Sequence, residues 1–121
     1  LIADGYVPVL SPITHDKKGL LLNTNADTIA SVSAVALSKL SEASLTYCFE
    51  LPGVLTDIND KESVIENIDL ESYKDLKSQG IIADGMIPKL DNCFDAIEAG
   101  VSKVRICHAL NLNGEVGTVL A

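Results

Sequence analysis

Three short stretches carry residue types that can act together in chemistry: Asn23-Thr24-Asn25-Ala26-Asp27, Glu50-Leu51-Pro52-Gly53-Val54-Leu55, and Ile81-Ile82-Ala83-Asp84-Gly85-Met86-Ile87-Pro88-Lys89. The third is the most informative. Gly85 lets a backbone come close to a ligand, Pro88 suits the first position of a helix, and Lys89 falls in that helix's first turn, where the macrodipole favours acids instead. A bound polyphosphate would compensate such a lysine, because it gains both the unpaired amide N–H groups of a helix start and an ammonium charge. An ordinary exposed lysine explains this pattern equally well on its own. Asp27 and Asn23 have ordinary readings too, as a first-turn acid and a turn residue.

Other chemistries find less support. His15 and His108 are isolated, and Cys48 sits in a predicted strand as a small buried hydrophobe with no histidine beside it to activate a thiolate. A Ser/His/Asp or Cys/His enzyme is therefore unsupported. Asp57, Asn59 and Asp60 invite comparison with a calcium loop, but the required Gly and final Glu are missing at the right offsets, so the segment reads as a solvated loop and no metal site is assigned.

The elements that must position these residues follow from periodicity and punctuation. Tyr6–Ile13 and Leu20–Leu22 read as a hairpin closed by His15–Gly19. Ile29, Val32, Ala36, Leu37 and Leu40 recur at helical spacing behind the N-cap Asn25, predicting a helix from Ala26 to Lys39. Ala43–Phe49 reads as a buried strand. A surface helix over Asp69–Gln79, with Leu70, Tyr73 and Leu76 inward, stops at Gly80. A further helix spans Pro88–Ala99, and strands follow at Lys103–Cys107 and Thr118–Leu120. Alternating strands and helices predict an α/β fold, a three-layer αβα sandwich around a mainly parallel sheet. In such sheets ligands collect outside the carboxyl ends of the strands, where all three motif-bearing loops fall.

The 121 residues suit one domain with a single core. Nine Lys and Arg against 17 Asp and Glu give a net charge of −8, which disfavours nucleic acid and anionic membranes because both demand dense basic charge. Cys48, Cys93 and Cys107 are far apart and form no C-x-x-C spacing, consistent with a reducing cytoplasm. The most apolar stretch, Thr28–Leu40, is interrupted by serines and a lysine, well short of a membrane span. The chain starts at Leu1 without Met and runs directly into an apolar segment, so a longer protein is expected.

Taken together, N-T-N-A-D at 23–27, P-G-V-L at 52–55, I-I-A-D-G-M-I-P-K at 81–89 and A-I-E-A-G-V at 96–101 resemble the amino acid kinase family, in its acylglutamate branch. V-P-V-L-S-P at 7–12 and G-T-V-L-A at 117–121 extend the resemblance over nearly the whole chain. It is to the carboxyl-terminal, nucleotide-binding half of the family, and so implies that residues 1–121 are one nucleotide-binding lobe of a larger kinase, inactive alone.

The resemblance implies transfer of the γ-phosphoryl of ATP, with Mg²⁺ held through the phosphates, to the side-chain carboxylate of N-acetylglutamate or another N-acylglutamate, in arginine biosynthesis. Lys89 would be the transition-state lysine on the nucleotide side, Asp27 an electrostatic organiser of lysines, and Asn23 a hydrogen-bonding partner of the acylated amino acid. The nucleotide would lie along Glu50, Leu51, Pro52, Gly53, Val54 and Leu55 and along Ile81, Ile82 and Ala83, with Pro52-Gly53 giving backbone access. The resemblance also implies a homo-oligomeric parent. Glu50 stands where many relatives have Asp, Phe49 where they have Ser or Thr, and Tyr47-Cys48 replace an aliphatic pair, which points to a divergent branch. Kinases acting on carbamate, aspartate, glutamate or nucleoside monophosphates are rival readings, as is a regulatory nucleotide-binding module without catalysis.

Overall fold

Strand pairing begins at the amino end with a small hairpin. The structure, a computed structural model, describes residues 2–82 and 85–121, so the expected nucleotide contact at Ala83 lies outside the described residues. The hairpin pairs β1 (Ile13–His15) antiparallel with β2 (Leu21–Asn23), Thr14 opposite Leu22. Its turn uses a left-handed Lys17 (φ 66°) and Gly19 (φ 98°), while the Asp16 carboxylate accepts from the amides of Lys18 and Leu20. The first strand is shorter than expected: pairing starts only at Ile13, and Tyr6–Leu10 is exposed. Pro8 and Pro12 supply no N–H to a ladder, which explains the late start.

Helix α1 (Ala26–Ser38) is capped as the sequence predicts, Asn25 Oδ1 accepting from the Asp27 amide at 2.8 Å. Its buried face is not the one predicted. Val32, Leu37 and Leu40 are exposed, whereas Ala34 is buried and Ala30 and Val35 pack against the core. Small residues at one-turn spacing let α1 lie close to its neighbours, so side-chain size decided the face over hydrophobicity.

The main sheet has the order β3-β5-β6-β4, from β3 (Ser44–Phe49), β4 (Asn67–Ile68), β5 (Lys103–His108) and β6 (Thr118–Leu120). β3 runs parallel to β5 with Leu45 beside Val104 and Tyr47 beside Ile106. β5 and β6 are antiparallel and β6 is parallel to β4, so the sheet is mainly parallel with one reversed step. The reversal and the two-residue β4 were not predicted. Alternate residues of all four strands, Leu45, Tyr47, Ile68, Val104, Ile106 and Leu120, form one buried face. They join a single core with Ala34 of α1, Tyr73 of α2 (Leu70–Ser78) and Leu90, Cys93 and Ala96 of α3 (Ile87–Glu98).

The expected α/β class thus holds, and among the described residues the helices gather on that one face. The opposite face carries exposed Ser44, Thr46, Cys48, Lys103 and Asn67. Cys48 is accordingly exposed, not buried as expected, because β3 is an edge strand that buries only alternate side chains. Leu70, expected inward, is half exposed. It opens α2 directly after a capping box in which Asp69 and Ser72 exchange side-chain and backbone hydrogen bonds. The Ser72 amide holds the Asp69 carboxyl below its ordinary pKa. The Thr56–Glu62 loop is exposed throughout, and the Asp57 and Asp60 carboxylates accept from the amides of Asn59 and Glu62.

Candidate functional site

α1 and α3 both start above the carboxyl end of β3, and the first turn of each contributes one charged side chain to a shared point. Lys89 Nζ donates to Asp27 Oδ2 at 2.6 Å. The pair is partly shielded, with the lysine side chain 17% and the aspartate side chain 36% exposed. Pro88 stands at the helix start as predicted. Met86 caps the helix with no side-chain hydrogen bond, and no acid sits in the first turn. The start of α3 therefore offers backbone donors and an ammonium that one carboxylate balances among the described residues, which fits an incoming polyanion.

Two aromatic residues that sequence reasoning gave no part in the chemistry complete this point. The Lys89 ammonium lies 5.1 Å from the centroid of Tyr47 and 5.3 Å from that of Phe49. The Tyr47 hydroxyl donates to the backbone carbonyl of Asp27 at 3.2 Å. Burial above all, then the nearby Cys93 and Asp27, pushes the Tyr47 phenol up to about 12, so it stays a neutral donor at ordinary pH. Cys93, fully buried one turn after Lys89, is also pushed up to about 12, by burial, against the opposing pull of the lysine. The available signal was the i, i+2 spacing of Tyr47 and Phe49, which places both rings on one side of β3 at its carboxyl end.

The predicted nucleotide strip divides into two surfaces. Leu51, Val54 and Leu55 meet Ile81 and Ile82, together with Ile58 and Met86, around an apolar cleft of about 50 Å³. Two loops far apart in sequence are thus brought together as expected, around a space that holds little more than one water. Glu50 and Pro52 open instead on a wider polar groove of about 640 Å³, lined also by Lys61, Glu62, His108 and Glu115. Gly53 does not give backbone access. It is buried, and a Cβ there would stand 2.7 Å from Thr118 Oγ1 and 2.9 Å from a Val64 methyl carbon. The absent side chain is filled by the chain itself, and Thr118 Oγ1 accepts from the Val54 amide at 2.8 Å. Asn23 ends β2 exposed, opposite Ile13, and its side chain makes no hydrogen bond among the described residues.

Arg105 was also missed. From β5 its guanidinium donates to the carbonyls of Asn111, Leu112, Gly114 and Val116 and fixes the loop that borders the polar groove. Among the described residues no group of three or more His, Cys, Asp or Glu could hold a metal ion, and no helix is long and apolar enough to cross a membrane.

The profile of the amino acid kinase family matches residues 1–108. The chain belongs to that family. Among curated members, acetylglutamate kinase of Cytophaga hutchinsonii is 55% identical across 99% of this chain and 48% of its own length. Acetylglutamate kinase of Phocaeicola vulgatus is 56% identical across 99% of this chain and 47% of its own. The chain therefore spans about half the length of the curated relatives it matches. Of solved structures, smu.665 from Streptococcus mutans UA159 superposes with a TM-score of 0.74 at 29% identity, covering 98% of this chain and 44% of that one. For an amino acid kinase, an ammonium and a carboxylate meeting at two helix starts over the sheet's carboxyl end is an arrangement suited to managing phosphate charge.

Proposed function

We propose that this chain is the nucleotide-side lobe of a kinase that moves the γ-phosphoryl of ATP to the side-chain carboxylate of N-acetylglutamate or another N-acylglutamate, yielding an acyl phosphate in arginine biosynthesis. The observation that carries the reading is the Lys89–Asp27 pair at the start of α3, where the N-cap Met86 makes no side-chain hydrogen bond. A carboxylate acceptor with a pKa of about 4.3 is already ionised at neutral pH, so no general base is needed. Catalysis rests on alignment and on neutralising the charge that spreads over the moving group.

Lys89 faces the transferring phosphoryl and strengthens its hold as charge develops. Asp27 orients the ammonium and takes no proton. Asn23 positions the acylated amino acid, which reaches the site from the hairpin side. Leu51, Val54, Leu55, Ile81 and Ile82 supply the apolar wall against which the base lies. Glu50 meets the ribose side. Mg²⁺, when bound through the phosphates, supplies further charge neutralisation.

The test uses the full-length protein with MgATP and a panel of N-acylglutamates, trapping the acyl phosphate as a hydroxamate. Acylglutamate-dependent ADP release with hydroxamate formation is the expected result. Turnover with carbamate or aspartate in its place would reassign the substrate, and MgADP binding without turnover of any carboxylate would favour a regulatory module.

A further inference from the structure

The environment of the Lys89 ammonium carries an inference of its own, which rests on the phosphoryl-transfer reading. The side chain is only 17% exposed, its one hydrogen bond among the described residues goes to Asp27, and two ring centroids lie just over 5 Å from Nζ. The side chain is largely shielded from water, and aromatic faces lie beside its ammonium. Ring quadrupoles attract a cation without the directional hold of an oxygen acceptor. An ammonium so placed is held in position, and among the described residues its remaining N–H groups meet no competing acceptor. It needs little reorganisation when a phosphoryl oxygen arrives. The Tyr47 hydroxyl adds a second constraint, tying the backbone of Asp27 to the ring that supports the lysine.

We propose that Tyr47 and Phe49 are positioning residues that form an aromatic cradle for Lys89, holding its ammonium beside Asp27 in the place where it meets the transferring phosphoryl. Removing one ring face leaves the charge in the site but lets it wander. The effect should fall on kcat and spare the KM for ATP, which reports contacts made equally before and during transfer.

The experiment uses the full-length protein labelled with ¹³C-lysine. Ring currents from two aromatic faces should move the Lys89 ε-methylene protons upfield of those of the other lysines. Phe49→Leu, similar in size but without a π face, should return them toward the ordinary position, and Phe49→Tyr should keep them upfield. In steady-state assays Phe49→Leu should lower kcat about threefold to tenfold with the ATP KM within about twofold, and Phe49→Tyr should restore it. Tyr47→Phe keeps the ring at a buried position and should retain the upfield shift. An ordinary Lys89 shift in the parent, or an active Phe49→Leu protein with parental kcat, would overturn the cradle. A parent that shows the upfield shift yet transfers no phosphoryl overturns the reading of the reaction and leaves the geometry of the cradle supported.

Discussion

Lys89 and Asp27 stand 2.6 Å apart at the starts of two helices separated by most of the central sequence. Each is the only charged residue in its helix's first turn. This contact makes the two residues one electrostatic unit, and both should be sensitive to losing the other.

Lys89→Ala should lower kcat by about 10² or more while changing the KM for ATP by only a few-fold, because the lost interaction is strongest in the transition state. Steady-state kinetics of the full-length protein checks this. Equal kcat for mutant and parent would remove Lys89 from the mechanism.

Asp27→Asn should reduce turnover with the fold intact, since the cap of α1 belongs to Asn25 and not to Asp27. Circular dichroism should show parental helix content beside a large fall in kcat. An unfolded variant whose folded fraction turns over normally would make Asp27 purely structural.

Thr118→Val keeps the volume that faces Gly53 but deprives the buried Val54 amide of its acceptor. An unpaired buried N–H costs about 1–3 kcal/mol, so the urea midpoint should fall with the slope unchanged. An unchanged midpoint would mean that the amide finds another partner.

Arg105→Met should free the carbonyls of Asn111, Leu112, Gly114 and Val116 from their shared donor. Hydrogen exchange should quicken over residues 109–117 and remain slow in β5. Protection retained in that loop would show that the guanidinium is dispensable.

Alkaline pH should destabilise the protein through Cys93 and Tyr47, both pushed up to about 12 in the folded chain. Above their unfolded values the unfolded chain releases protons that the folded one keeps, so ν_U is smaller than ν_N and stability falls as pH rises. Melting temperature should hold below about pH 9 and decline from there towards pH 12. At pH 8, iodoacetamide should reach exposed Cys48 before buried Cys93 and Cys107.

The residues that were legible in the sequence are those whose roles are local. Asn25 as a cap, Gly80 as a stop, Pro88 at a helix start and the strands around Leu45 and Val104 follow from short-range chemistry, and the structure has each of them. The Lys89–Asp27 encounter was anticipated through the family resemblance, which made Asp27 an organiser of lysines, whereas loop position at the strand ends gave only the neighbourhood. What could not be read depends on who the neighbours are. The inward face of α1 was set by helix spacing, so Ala34 displaced Val32. Gly53 was reserved by Thr118, and Arg105 found its acceptors in a loop with no periodic pattern. The rings beneath Lys89 could be placed on one side of β3 from their spacing, but not assigned to the lysine.

The connectivity of the main sheet has a consequence for how the chain assembles. β5 and β6 pair across a short connection that Arg105 clasps, whereas Tyr47 must wait for Ile106. Closing the longer span costs about 1 kcal/mol more in chain entropy, which favours the carboxyl-terminal hairpin as the template onto which β3 docks. On the ribosome the order is reversed. Leu45, Tyr47 and Phe49 emerge first, and their register with Val104, Ile106 and His108 of β5 closes only after residue 108 has been released.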